Sequence, residues 1–561
     1  MQRHWQIKNP HPQLQSRLSN ALNIHPIISQ LLINRGITEI KEAENFMSAG
    51  IETIADPFLM KDMDKAVARI RKAQRNKERV LVFGDYDVDG VTSSALLNHV
   101  LSGMGIDVLH HIPHRVEDGY GLNHSIGLRA RKENVSLLIC IDCGITAKEE
   151  VAALNRLGIE VIVIDHHEPN PARMPEAVAI INPKQPGCAY PFKEFASVGL
   201  AAKLIQALTG QVPEEVLELV AIGTIADIVP LHGENRVFVK HGMPKILKTK
   251  NIGLRALLES ARVSVPKISS QHIGFILGPR LNAAGRMDSA HGSLDLLLAK
   301  DGKEALALAQ KLEEHNTRRQ KTQRDIVEEA LDIVEQEVNF KDQKVIVLSK
   351  EGWHKGVLGI VASKLTDRYY RPSVVISVKD GVGTASARSI DGFHLYEALS
   401  RCSDCLEEFG GHEGAAGLTI RAENIESFRE MINEVAHKTM ETRDMVPTLS
   451  VDCEVPLSSV DLDFTEIVSS LEPFGEGNST PVFATRRLQV KGYPALLGKD
   501  TLKFWVSDGK VSISAVGFGM AKYKPMIKPG AEIDLAYEVI IDDWNKSPEP
   551  QLKIKDIRLS D

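Results

Sequence analysis

Val80-Leu81-Val82-Phe83-Gly84-Asp85-Tyr86-Asp87-Val88-Asp89-Gly90 is an apolar run that ends in three carboxylates at alternate positions. Its β-branched and aliphatic residues continue without polar alternation, which predicts a strand buried on both faces. Val91-Thr92-Ser93-Ser94-Ala95-Leu96-Leu97 follows Gly90 and reads as a helix with small residues in its first turn. On a still-extended segment Asp85, Asp87 and Asp89 point to one side, because side chains alternate with period two. Three carboxylates on one side repel one another, and hard cations are their usual neutraliser. A solvated acidic turn is the competing reading, and partner ligands elsewhere decide between the two.

Outward from this stretch, strands and helices alternate. A helix at 63–73 precedes the strand at 80–83, and a helix at 91–101 follows it. Strands are predicted at 107–112, 136–141, 161–164 and 177–181, with helices at 125–133 and 147–157. Strands separated by helices of this length predict a parallel sheet with right-handed crossovers. Ligands in such sheets gather beyond the carboxyl ends of the strands. There the sequence places Asp142-Cys143-Gly144 after one strand and Asp165-His166-His167 after the next. Asp227 interrupts the apolar helical run Ala221-Ile222-Gly223-Thr224-Ile225-Ala226, where an unpaired charge is expensive. Carboxylates with imidazoles and no thiolates suit Mn²⁺ or Mg²⁺. There are oxygen ligands enough for two ions, and such a pair serves hydrolysis at phosphorus.

The 561 residues exceed what one core supports, so three or four domains are expected. A net charge of −7 gives no global sign of a polyanionic partner, although metals bound to carboxylates reverse the local sign. No uninterrupted apolar segment reaches the ~18 residues that span a bilayer, and the N-terminus has no apolar core of a secretory leader. A cytoplasmic protein with no membrane association is expected. Of the six cysteines, Cys140/Cys143 and Cys402/Cys405 form C-x-x-C pairs. A shared zinc site needs pairs more than 250 residues apart to meet, whereas Cys140 lies in an apolar strand and reads as a small hydrophobe.

Asp85-Tyr86-Asp87-Val88-Asp89-Gly90, Asp142-Cys143-Gly144 and Asp165-His166-His167 resemble the first three motifs of the DHH phosphoesterase superfamily, and Asp227 falls where its fourth supplies a ligand. Three further motifs are similar to those of its bacterial single-strand-specific exonucleases: Gly278-Pro279-Arg280-Leu281-Asn282-Ala283-Ala284-Gly285-Arg286, Gly352-Trp353-His354-Lys355-Gly356-Val357-Leu358-Gly359 and Gly410-Gly411-His412-Glu413-Gly414-Ala415-Ala416-Gly417. The resemblance runs from about residue 50 to the C-terminus and implies a 5′→3′ exonuclease of DNA recombination and repair, acting on single-stranded DNA with two Mn²⁺ or Mg²⁺ ions and releasing 5′-mononucleotides. It implies that Asp87 holds one ion and Asp89 the other, that Asp142 bridges them, and that His166 and Asp227 complete the second. Some members carry a histidine where this chain has Phe83, which makes Asp85 the candidate for that ligand. Asp165 would orient an imidazole, as carboxylates often do at metal sites. His167 would contact the scissile phosphate or protonate the leaving group. Single-stranded DNA is the implied partner, with a single-strand-binding protein and a helicase as further ones.

The stretch 306–338 lacks proline and glycine and predicts one long helix, apolar at both ends and polar all round at its centre, Glu313 to Lys321. Such a helix bridges two domains across solvent; a coiled-coil face is the rival. The resemblance implies a DHHA1 domain beyond it. There Gly411 and His412 would contact substrate, and Ser386 with Arg388 would take a terminal 5′-phosphate through bidentate hydrogen bonds. Arg115, Arg280 and Asn282 are further substrate candidates by motif position; a solvated surface arginine is the competing reading for the arginines. From about residue 448 short strands and turns predict a small barrel, an OB-fold by resemblance. Phe504, Trp505, Phe518 and Tyr523 are candidates to stack on bases, but Phe504 and Trp505 alternate, so at least one belongs to the core. The expected fold class is α/β: a parallel-sheet DHH catalytic domain (61–300), a connecting helix (301–340), a DHHA1 α/β domain (341–445) and an OB-fold β-barrel (446–561), after an N-terminal helical segment (1–60). The competing functions are a phosphodiesterase for oligoribonucleotides or cyclic dinucleotides, a pyrophosphatase, and a non-catalytic replication scaffold. The first two are typically shorter, and the last would lack motif carboxylates.

Overall fold

The computed structural model describes residues 3–114, 119, 121–287, 290–542 and 547–560. The stretch that opens the sequence reading is the strand Arg79–Gly84, buried from Val80 onward. It lies in a five-stranded parallel sheet ordered Asp107–His111, Arg79–Gly84, Val135–Ile141, Glu160–Ile164, Ala179–Ile181. Both faces are covered, which explains why these strands are apolar without alternation. The chain order reverses between Arg79–Gly84 and Val135–Ile141, the switch point where open α/β sheets bind ligands.

Register makes the edge functional. Gly84 pairs with Ile141, Ile141 with Ile164, and Ile164 with Ile181. The next residues along the four strands, Asp85, Asp142, Asp165 and Asn182, therefore emerge in one row.

The expected extended run of three aspartates does not form. The strand stops at Gly84 and the helix Val88–Gly103 starts at once, with Asp87 as its N-cap and Asp89 in its first turn. The Asp87 carboxylate accepts from the Gly90 amide at 3.1 Å, so capping ends the strand earlier than alternation suggests. The three side chains converge through a strand-to-helix turn instead.

The long helix is Gly302–Glu337, 36 residues or about 54 Å. Ala305, Ala309 and Leu312 at one end join the core of the parallel-sheet domain, while Ile326, Ala330 and Val334 at the other pack with Trp353 and Leu358. Its centre is less solvated than its polarity predicts: Asn316 is buried, and Glu313 is held by Arg280 of the helix Gly278–Met287. Beyond it, a five-stranded mixed sheet runs Leu406–Gly411, Ala415–Arg421, Val382–Arg388, Ser373–Lys379, Ile346–Glu351.

The C-terminal strands Phe483–Leu497, Thr501–Ser507, Ser512–Gly517, Glu549–Leu559 and Glu532–Asp542 close into a barrel, because the last pairs back onto the first. Phe504 is buried in it and Trp505 is exposed, as alternation requires; Phe518 is also exposed. The N-terminal segment is helical, yet it shares a core with this barrel. Leu18, Leu31 and Leu32 pack in one cluster with Phe483 and Tyr537, and the strand His4–Ile7 pairs with Thr448–Val451. The two C-x-x-C pairs lie in separate cores, so they do not form one zinc site. No helix among the described residues is long and apolar enough to cross a membrane.

Candidate metal centre and active site

Ligating atoms of Asp85, Asp87 and Asp142 lie within 4.8 Å of one another, and so do those of Asp89, His166 and Asp227. Asp142, His166 and His167 form a third such group that overlaps both, and all meet at the switch point, supplied by the turn after the first strand, the ends of two further strands, and the end of the helix Leu217–Ala226, which Asp227 caps. All six residues expected to hold metal are brought together.

Asp142 stands at φ +65°, a left-handed conformation that aspartate tolerates better than most residues. Its carboxylate accepts from Ser197 Oγ at 2.9 Å. The two Asp89 oxygens accept from the Ser197 and Val198 amides at 2.6 and 2.9 Å. The N-terminus of the helix Ser197–Thr209 therefore orients two ligands at once, through Ser197 Oγ and through its unsatisfied amides. Ser197 escaped the sequence reading. Its only signal there is a serine at the start of an apolar helical run, which is a common helix-start pattern.

His166 Nε2 lies 3.5 Å from Asp227 Oδ2 and 3.6 Å from Asp142 Oδ1. These gaps are too long for hydrogen bonds but suit donors that share one cation. His166 Nε2 and Asp227 Oδ2 are buried and lack hydrogen-bond partners, which is costly unless something else fills the role. Burial, reinforced by neighbouring His167, pushes the His166 imidazole down to about 3, so the ring is neutral and its lone pair available. Burial, then Asp87, raises Asp89 to about 7; burial, then Asp89 and Asp87, raises Asp227 to about 9. Carboxylates destabilised in this way favour a divalent cation, and the oxygen-rich donor set fits Mn²⁺ or Mg²⁺.

Asp165 is fixed by three hydrogen bonds, two of them from His167. One oxygen accepts from His167 Nδ1 at 2.7 Å and the His167 amide at 3.0 Å, and the other from the Ile145 amide at 2.9 Å. Burial alone would raise Asp165, but these bonds leave it below the ordinary carboxylate range. Burial alone would lower His167, but Asp165, then Asp87 and Asp85, hold it above the ordinary imidazole value. His167 is therefore a half-exposed imidazole biased toward its charged form beside a neutral, buried one, with ring centroids 4.4 Å apart. Phe83, at the position where a histidine could have stood, is wholly buried in the core, and Asp85 lies within ligand distance of Asp87 and Asp142 instead.

The candidates on the second domain form a second assembly. Gly417 pairs with Ser386 and with Gly410, Ala415 with Arg388, and Gly411 with Ala416. A Cβ on Gly411 (φ +147°) would overlap the Ala415 carbonyl oxygen, so only glycine closes this hairpin beside Ser386 and Arg388. The His412 ring nitrogen Nδ1 accepts from the Gly414 amide at 3.2 Å, which orients the imidazole. The Arg388 guanidinium reaches the first turn of the helix Leu358–Tyr369, where a Cβ on Gly359 would be 3.0 Å from Nη2.

The first-domain candidates divide. Arg280 is committed to Glu313 through Nε (2.5 Å) and Nη2 (3.2 Å) and to the Ile276 carbonyl at 2.8 Å, so it fastens the catalytic domain to the long helix rather than presenting an open fork. Asn282 is half-buried on the same helix. A Cβ on Gly285 would lie 3.1 Å from the Tyr86 carbonyl, and Arg286 Nη1 donates to the Gly356 carbonyl at 3.1 Å, so this helix links the metal turn to the second domain. Arg115 lies outside the described residues.

Residues 79–224 match the model of the DHH family N-terminal domain, residues 342–438 the DHHA1 domain and residues 451–556 the RecJ OB domain. The chain is 39% identical to the single-stranded-DNA-specific exonuclease RecJ of Bacillus subtilis over 560 residues, covering 99% of this chain and 71% of that one. The chain belongs to the RecJ family. The RecJ of Dickeya dadantii is 32% identical, with 97% of each chain covered. Among solved structures, the RecJ of Thermus thermophilus in complex with Mn²⁺ superposes with a TM-score of 0.85 at 28% identity, covering all of this chain and 80% of that one. The Mg²⁺ complex of the same protein gives 0.79 at 26% identity, with 100% and 79% covered. RecJ relatives thus hold the two cations that the donor set here fits.

Proposed function

We infer that this chain is a metal-dependent 5′→3′ exonuclease that hydrolyses single-stranded DNA to 5′-mononucleotides. The observation that carries the reading is the convergence of Asp85, Asp87, Asp89, Asp142, His166 and Asp227 into two adjoining ion-sized groups at the sheet's switch point. Two divalent ions there supply an activated water at neutral pH and neutralise charge at phosphorus. Asp142, next to both groups, joins them. Ser197 holds Asp142 and Asp89 at their positions. His167, which Asp165 biases toward its charged form, contacts the scissile phosphate or delivers a proton to the leaving oxygen. Ser386 and Arg388 take a terminal 5′-phosphate, and Gly411 and His412, paired beside them on the neighbouring hairpin, contact the substrate strand. On this reading the domains divide at about residues 60, 300, 340 and 445, and the protein works in the cytoplasm with a single-strand-binding protein and a helicase.

The test is digestion of end-labelled single strands, duplexes and RNA with Mn²⁺ or chelator. Mononucleotides should appear from the 5′ end of single-stranded DNA, and Asp142→Ala should abolish them. Equal release from the 3′ end, or activity indifferent to that substitution, rejects the reading. Arg388→Ala should selectively weaken the preference for a phosphorylated 5′ end, and an unchanged preference removes that assignment.

A further inference from the structure

We propose that Ile228 and Phe275 form an apolar bracket beside the metal centre that holds a nucleobase of the single-stranded substrate. This rests on the exonuclease reading above. Ile228 directly follows Asp227 and stands at φ +61°, with its amide turned back to the Ile225 carbonyl at 3.3 Å. Just past a helix end this left-handed position is normally glycine, because a Cβ crowds the backbone, and a β-branched residue is the poorest substitute. Burial does not offset that strain, since Ile228 is 70% exposed.

Phe275 is displayed by a second irregularity. It lies in a π-turn, Ile273–Leu277, a feature that weakens regular helical bonding and recurs at functional sites. Its ring is 80% exposed. This turn packs against the helix that Asp227 caps: a Cβ on Gly278 would sit 3.8 Å from the Ala226 Cβ. A single exposed hydrophobe needs no explanation. Two, each presented by an unfavourable backbone, one directly after Asp227 and the other on a turn packed against the helix that Asp227 caps, point to an apolar face that arrives with the substrate. A phosphodiester seated at the centre brings its flanking bases to this rim. Every base offers a π-face, so contact of this kind is indifferent to sequence, which suits an enzyme that processes any strand.

The test pairs stability with kinetics. Ile228→Gly supplies the residue that the backbone prefers, and Phe275→Ala removes an exposed ring. Both variants should unfold at or above the wild-type temperature, Ile228→Gly higher, while KM for single-stranded DNA rises about 5- to 100-fold. Oligonucleotides carrying one abasic nucleotide at the first, second or third position from the hydrolysed end locate the base. One of them should be a poor substrate for the wild type, and the variants should no longer distinguish it from the intact strand. Wild-type KM and abasic discrimination in both variants would overturn the bracket, and so would an Ile228→Gly protein that unfolds earlier. Failure of the wild type to digest the intact strand would instead reject the exonuclease reading.

Discussion

Asp142→Asn separates charge from shape at the middle of the metal cluster. Asparagine tolerates the +65° φ of this position as well as aspartate does, and its amide oxygen can keep the 2.9 Å bond from Ser197 Oγ. The change removes one negative charge within 4.8 Å of Asp85 and Asp87. Two unit charges at that separation repel by about 3.5 kcal/mol at an effective dielectric near 20. Burial, then Asp89, Asp87, Asp85 and Asp227, already holds the Asp142 carboxyl well above its ordinary range. The environment that raises this carboxyl also lessens the charge to be removed, so the relief is below that figure, about 1–3 kcal/mol. In EDTA the variant should unfold a few degrees above the wild type. With Mn²⁺ the order should reverse, because a ligand that binds only the folded state stabilises it in proportion to the logarithm of its concentration over Kd, and the variant has lost a shared ligand. Thermal scans with and without Mn²⁺ read both effects. A variant less stable in EDTA yet showing the full Mn²⁺-induced rise would refute this reasoning, since Asp142 would then be a structural acceptor.

Metal affinity should depend on pH through the protons it displaces. With Asp89 at about 7 and Asp227 at about 9, and Asp142 also raised, log Ka for Mn²⁺ should climb by at least about two per pH unit below 7 and at least about one between 7 and 9; calorimetry in buffers of different ionisation enthalpy counts the protons, and pH-independent binding would contradict the account. In EDTA the sign is opposite for stability: both carboxyls are raised in the folded state, so their contribution is fullest at low pH and is lost as pH rises through those values. Gly242→Ala would drive a Cβ into the Leu217 carbonyl oxygen, forcing apart the helices Gly233–Ile246 and Leu217–Ala226 at a cost of about 1–3 kcal/mol; a lower unfolding temperature and a weaker Mn²⁺ response should appear together, since the second helix ends in Asp227. Leu31→Ala should cost about 2–5 kcal/mol and speed proteolysis of the C-terminal barrel, because Leu31 is buried in the barrel's core; cleavage confined to the first 50 residues would refute the shared core.

The sequence alone carried the parallel sheet, because strands buried on both faces must be apolar throughout, and it marked the candidate ligands, because carboxylates set against buried strands and inside an apolar helical run are expensive unless something neutralises them. It also marked the long helix, whose absence of proline and interior breaks is a local property. It could not say how Asp85, Asp87 and Asp89 converge: alternation predicted an extended run, but the cap from Asp87 to Gly90 ended the strand first. It gave no hint that Ser197 would hold two ligands, since that bond joins residues more than 50 positions apart. Arg280 shows the same limit, because the carboxylate that occupies it stands on a helix 33 residues away. Nor could it show that the N-terminal helices complete a barrel more than 400 residues distant, since an amphipathic face specifies that it must be covered and not by what. Local pattern therefore determined which elements form and which atoms are costly. Tertiary packing decided which partner offsets each cost: two cations for the carboxylates, Asp165 for His167, Glu313 for Arg280, and the barrel for Leu31.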